Sequence, residues 1–203
     1  LETGVLRDVM DVVRELVSLA HTDSTARNPI KTLDAMAEGD EIAYVPLAFG
    51  YSNYARNGTE RTVLAADFAG PGEDAAAGAL LGGAGCSVTR ACKDLDAAAV
   101  YLTWLHQKDV MRGPYFEEGG QPGSRAAWED SAVNAASNDF FKDTLQTLDK
   151  AYLRPRFHGY VPFFEAAGET MNSFLKGETT RNEAAAAILD GYARAYDEAP
   201  THG

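Results

Sequence analysis

Apolar residues recur at helical spacing from the first turn of the chain. Val5, Leu6, Val9, Val12, Val13, Leu16, Val17 and Ala20 share one side, and Arg7, Asp8, Asp11, Arg14 and Glu15 the other, which predicts an amphipathic helix. A polar turn over 23–29 follows, then a short helix over 30–38, with Gly39 placed where a left-handed C′ residue belongs. Ile42, Ala43, Tyr44, Val45 and Leu47 form a short apolar run bounded by Gly39 and Pro46, the pattern of a buried strand. An aromatic loop, Phe49-Gly50-Tyr51-Ser52-Asn53-Tyr54, leads to a second predicted strand over 62–68, stopped by Gly70-Pro71-Gly72.

The apolar stretch from Ala75 to Leu81 runs into Gly82-Gly83-Ala84-Gly85 and a third strand at Cys86-Ser87-Val88. Asp94 is a suitable N-cap for a helix carrying Ala97, Ala98, Tyr101, Trp104 and Leu105 on one face. A glycine-rich loop spans 117–123. Ser137 is placed to cap a helix with Phe140, Phe141, Leu145 and Leu148 inward, and Arg154-Pro155-Arg156 interrupts the pattern. A helix from about Val161 carries Phe164, Ala167, Met171 and Leu175 and stops at Gly177. Thr180-Arg181-Asn182-Glu183 is a capping box opening a last amphipathic helix with Ile188, Leu189, Tyr192 and Tyr196.

Helices dominate this reading, and three or four scattered strands are too few to close a sheet of ordinary size. The sequence opens directly into a helix, with no initiator Met, no basic n-region and no apolar h-region. Both features lead to the expectation that these residues are a portion of a longer chain, with the strands' partners lying upstream.

Composition narrows the function classes. The 203 residues are 45% hydrophobic and 10% aromatic, enough for one or two cored domains and unlike a disordered chain. A net charge of −12 repels a phosphate backbone, so nucleic acid is not an expected partner. The longest apolar runs fall well short of the ~20 residues a membrane-spanning helix needs.

Cys86 and Cys92 have five residues between them, which excludes a C-x-x-C site. The pair is open to two readings: a disulfide across a tight reversal, or a small buried hydrophobe and a free loop thiol. His21, His106, His158 and His202 are dispersed, with no second histidine at i+3 or i+4, so no metal site is expected. Gly82-Gly83-Ala84-Gly85 precedes a strand instead of following one and lacks Gly-Lys-Ser/Thr, so it is neither a dinucleotide fingerprint nor a P-loop. A close backbone approach to a ligand and a plain turn both remain open for it. Glu117-Glu118 is a conceivable acid–base pair, but adjacent loop carboxylates are more often solvated, and no nucleophile motif accompanies them. No catalytic residue and no cofactor is expected.

Two segments have the composition of a sugar site. Phe49, Tyr51, Asn53 and Tyr54 place flat rings beside an amide, and Gln121-Pro122-Gly123-Ser124-Arg125 adds a second amide and a guanidinium. Hydroxyl-rich ligands need paired donors and acceptors, and an aromatic face for the C–H side of the ring. The same aromatics also suit a core beneath a loop.

In order and spacing these motifs resemble those of family 1 extracellular solute-binding proteins, the sugar and oligosaccharide receptors of bacterial ABC importers. The resemblance rests on Ala35-Met36-Ala37-Glu38-Gly39-Asp40-Glu41-Ile42-Ala43 with the following Tyr-Ser-Asn loop, and on Leu81-Gly82-Gly83-Ala84-Gly85-Cys86-Ser87-Val88. It extends through the helix Asp96–Leu105, Gly119-Gly120-Gln121-Pro122 and Arg154-Pro155-Arg156. It covers nearly the whole chain but only about the C-terminal half of such a receptor.

The resemblance implies an α/β, periplasmic-binding-protein-like fold of type II, two-lobed, of which this chain is an incomplete, helix-rich portion. Residues 1–63 would belong to the C-terminal lobe, 64–120 to the N-terminal lobe, and 121–203 again to the C-terminal lobe. It implies a protein that is not an enzyme, and that delivers a sugar or oligosaccharide to a membrane permease after two lobes close on it. The location would be periplasmic or at the cell surface, with the signal sequence absent from this chain. Phe49 and Tyr51 would stack on the ligand, Asn53 and Gln121 would hydrogen-bond it, Gly83 and Ala84 would offer backbone groups, Arg125 a bidentate contact, and Phe164 a second stacking face. Many relatives carry an aromatic where this chain has Ala84. A hydrolase or other enzyme using the loop carboxylates and a structural or interaction module are the alternatives.

Overall fold

The computed structural model describes residues 2–46, 48–70 and 76–197. Leu47, Pro71-Gly72, Ala75 and His202, which carry parts of the expected second-strand stop, apolar runs and histidine set, lie outside the described residues. Eleven α-helices occur among the described residues. They are α1 (Thr3–Leu19), α2 (Pro29–Glu38), α3 (Leu95–Leu105), α4 (Lys108–Arg112), α5 (Pro114–Glu117) and α6 (Arg125–Trp128). Continuing along the chain come α7 (Ser131–Ala136), α8 (Phe140–Asp143), α9 (Leu145–Lys150), α10 (Tyr160–Leu175) and α11 (Arg181–Asp197). The chain divides into unit 1, Leu1–Asn28 with Arg154–Gly203, and unit 2, Pro29–Leu153.

Unit 1 is built by α1, α10 and α11. Leu6 and Met10 of α1 are buried with Phe174, Ala184, Ala185 and Ile188, and Phe163, Ala167, Met171 and Leu175 pack against them. The alanines on α11 remove side-chain bulk from this contact, which lets helices approach closely. The ends are set by local chemistry. Gly177 takes φ 77° and its N–H bonds Phe174 O at 3.0 Å, while Glu178 N–H bonds Ser173 O at 2.9 Å, a complete Schellman closure of α10. At the start of α11, Glu183 Oε2 accepts from Thr180 N–H at 3.0 Å and Glu183 N–H donates to Thr180 Oγ1 at 3.3 Å, the reciprocal box read from the sequence. The Thr180 hydroxyl holds the Glu183 carboxyl below the usual range. Arg181 pairs with Asp11, tying α11 to α1.

Unit 2 packs short helices around an aromatic centre of Phe116, Trp128, Phe140 and Phe141 with Ala55 and Val133. Phe141 is fully buried and meets Phe140 and Trp128 edge-on, each with ring centroids 5.1 Å away. Several polar groups inside are paired, whereas Ser52 Oγ and Arg56 Nε are buried without a hydrogen-bond partner. Trp128 Nε1–H donates to Pro122 O at 2.7 Å. Asn134 Nδ2 donates to Trp128 O and Asp130 O, and its Oδ1 accepts from Lys142 N–H at 2.9 Å. Asp130 caps α7. Ser137, expected to open a helix, instead sits buried at the end of α7, its hydroxyl donating to Val133 O. Gly39 closes α2 through a bond from its N–H to Ala35 O and is not left-handed.

The expected α/β, periplasmic-binding-protein-like class is overturned: the described residues are 56% helical, with essentially no strands and no sheet among them. Among the described residues the pairing along these segments is a single parallel bridge, Leu80 to Tyr152, with bonds from Leu81 N–H to Tyr152 O and from Tyr152 N–H to Ala79 O. The runs over 42–46, 62–68 and 86–88 are non-helical but join no ladder. The reason is physical. An apolar run specifies extended chain, whereas a strand also needs a neighbour for its N–H and C=O groups, and no apolar run names that neighbour.

The uncovered area agrees. The chain exposes 13775 Å², against roughly 11,000 Å² for two separately folded bodies of about 8 and 13 kDa. Part of the surplus is α3, capped by Asp94 as read from the sequence but without one buried residue; Leu95, Val100, Tyr101 and Trp104 are all exposed.

Candidate functional site

The segments over 43–46, 48–51, 63–69 and 78–80 wall a groove of about 800 Å³ in unit 2, within the size range of small-molecule sites. Leu33 and Met36 of α2, Phe140 of α8, and Thr144 and Thr147 complete it. The lining is apolar and aromatic with a few fixed polar points. Asp67 Oδ1 accepts from Thr147 N–H at 2.8 Å and from its hydroxyl at 2.9 Å, and Phe68 N–H donates to Thr147 Oγ1 at 2.7 Å. Beside it, a shallower recess includes the Asp40–Arg61 pair, in which the hydrogen bond from Arg61 holds the Asp40 carboxyl below its usual range.

Phe49 and Tyr51 line the groove with 40% and 39% of their surface exposed, so they are wall and not core. Phe49 lies against the Gly-Gly segment. A Cβ at Gly82 would fall 2.8 Å from the Phe49 ring, so glycine is the residue that admits this ring position. The aromatic loop and the glycine segment, separate in sequence, thus meet in space. Gly83 and Ala84 follow, exposed, and Gly83 has open space where a side chain would stand.

The other expected contacts take different places. Gln121 turns to the protein: its Oε1 accepts from Ser52 N–H at 2.9 Å and its Nε2 donates to Gly50 O at 3.3 Å. It therefore fixes the shape of the aromatic loop. Asn53 is exposed in the 3₁₀ turn Ser52–Ala55 and does not line the groove. Arg125 pairs with Asp149 and with Glu129, also outside the groove, and the Asp149 carboxylate raises its pKa further. Phe164 belongs to unit 1, where it stacks on Tyr160 with centroids 6.0 Å apart and lies under the Arg154 guanidinium at 5.3 Å. Glu117 and Glu118 are exposed and away from the groove. Both thiols are free; Cys86 is exposed and Cys92 donates to Asp94 O at 3.3 Å.

Two further side chains around the loop take supporting roles, Tyr54 already named with the aromatic segment and Arg56 not singled out by the sequence. Tyr54 donates to Asp34 Oδ1 at 2.6 Å, bracing the turn against α2, and this bond pushes the phenol pKa up to about 12. Arg56 lies 4.1 Å over the Phe116 ring and donates to Gly120 O at 3.1 Å, with burial lowering its pKa. Asp67 carried a signal that could have been used, a lone carboxylate within an apolar run over 63–68. Among the described residues no group of His, Cys, Asp and Glu could hold a metal ion, and no helix is long and apolar enough to cross a membrane. No protein-family model and no curated protein matches the chain.

Proposed function

We propose that this chain is part of a receptor that binds a carbohydrate-like solute on the aromatic wall of unit 2 and delivers it to the permease of an ABC importer. The observation that carries the reading is the meeting of Phe49 and Gly82 at a groove of about 800 Å³. Two half-exposed rings give C–H faces a place to stack, and Gly82, whose missing side chain makes room for the Phe49 ring, sets that ring's position in the wall. The ordered series of motifs resembling solute-binding receptors supplies the substrate class and the permease. In this reading Gln121 and Tyr54 are positioning residues. They hold the loop in its binding shape and so lower the ordering cost of association.

A thermal-shift panel of mono-, di- and trisaccharides at millimolar concentration tests this. A saccharide present at 100 times its Kd stabilises the folded state by about 2.7 kcal/mol, and that raises Tm by roughly 5–10 °C for a protein of this size. No shift with any member of the panel would count against the receptor reading.

A further inference from the structure

We infer that the groove of unit 2 selects a saccharide carrying a protonated amine, with Asp67 as the group that anchors it. The inference rests on the receptor reading and narrows it to a substrate class.

Asp67 is the one charged side chain among the described residues that line the groove. Its neighbours in the lining, Val63, Leu64, Ala65, Ala66 and Phe68, are all apolar. Thr147 holds the carboxylate in place. Its N–H and its hydroxyl both donate to Asp67 Oδ1, at 2.8 and 2.9 Å, and the hydroxyl in turn accepts from Phe68 N–H at 2.7 Å. Asp67 Oδ2 takes no hydrogen bond and no ion pair among the described residues, and it is not among the buried unpaired atoms, so solvent reaches it. One oxygen is thus fixed by the protein and the other is left for a ligand.

Charge then decides the class of ligand. A solute seated in the groove strips water from this carboxylate. A sugar hydroxyl can donate to Oδ2, but it leaves a full negative charge in an apolar lining that holds no Lys, Arg or His among its described residues, a costly arrangement. A protonated amine brings the donor and the counter-charge together. The rings of Tyr44, Phe49, Tyr51 and Phe68 line the same groove and act in the same direction, since an aromatic face attracts a cation. The net charge of −12 draws cations toward the chain as a whole, and Asp67 is what places one in the groove. A carboxylated sugar meets like charge there and is disfavoured.

Titration calorimetry of the full chain at about pH 6, where a sugar amine is protonated, tests the inference with glucosamine, N-acetylglucosamine and glucose, and with the three corresponding disaccharides. Each amine should bind roughly tenfold or more tightly than its acetylated and hydroxyl counterparts, the margin a charge-assisted hydrogen bond supplies. Asp67→Asn keeps an Oδ1 acceptor for Thr147 and should cut that preference to about twofold or less. Glu117→Gln removes one negative charge outside the groove and should leave the preference intact, which separates Asp67 from the general field of the chain. The wild-type comparison needs no variant, so the test holds even if Asp67→Asn destabilises unit 2. Equal affinity for amine, acetylated and hydroxyl sugars overturns the inference and leaves the receptor reading standing, and so does a preference that survives in Asp67→Asn. No binding of any saccharide, the amines included, overturns both.

Discussion

The hydrogen bonds of Gln121 give the most direct handle on the aromatic loop. Replacing Gln121 by Ala removes the acceptor of Ser52 N–H and the longer bond to Gly50 O. Ser52 is buried at 1% exposure, so its N–H is left without its partner, whereas Gly50 O loses a bond at the surface. The first loss dominates, and an unmade buried hydrogen bond costs about 1–3 kcal/mol. Taking about 1.5 kcal/mol and a urea m-value near 1.5 kcal/mol/M, the midpoint should fall by about 1 M. Both tryptophans, Trp104 and Trp128, belong to unit 2, so their fluorescence reports this unit alone. Gln121→Glu keeps the acceptor for Ser52 and should recover most of the loss. A midpoint for Gln121→Ala within about 0.3 M of wild type would refute the reasoning, as would a Glu variant no better than Ala.

Phe141→Ala empties the centre of the aromatic core, and a cost of about 3–5 kcal/mol should unfold unit 2, seen as loss of the native Trp128 emission in buffer. The Tyr54 phenol has a folded pKa near 12, above its ordinary value of 10.0. Its contribution is therefore complete below pH 10 and lost as pH rises through the folded value, so the advantage of wild type over Tyr54→Phe in urea midpoint should shrink from pH 9 to pH 11. An advantage that stays constant would exclude the Asp34 bond as its source. Arg125 is committed to Asp149 and Glu129, so Arg125→Ala should leave saccharide affinity within about twofold of wild type, checked by calorimetry.

Helices were legible because their signals are local. The 3.6-residue apolar period of α1, Asp94 before α3, and the Thr180–Glu183 box each act within one or two turns, and each recurs in the structure. Inward residues were legible for the same reason, as Phe140 and Phe141 show. Strands were not. The run at 42–46 has the right side chains, yet its hydrogen-bond partner is a non-local choice that no apolar pattern encodes. Side-chain partners were hidden by the same logic. Gln121 has the composition of a ligand contact, but it meets the backbone at Ser52, 69 positions away, and distance along the chain hides that pairing. Phe164 suits a stacking face, and it stacks on Tyr160, one helical turn earlier.

The measurement that bears most directly on the receptor reading is titration calorimetry of the saccharide giving the largest thermal shift against wild type, Phe49→Ala and Tyr51→Ala. The rings are half-exposed groove wall, so both variants should keep their fold. Each should weaken binding at least tenfold, about 1.4 kcal/mol. Wild-type heats retained in full by both variants would place the ligand elsewhere, and the absence of heat with every saccharide would contradict the account.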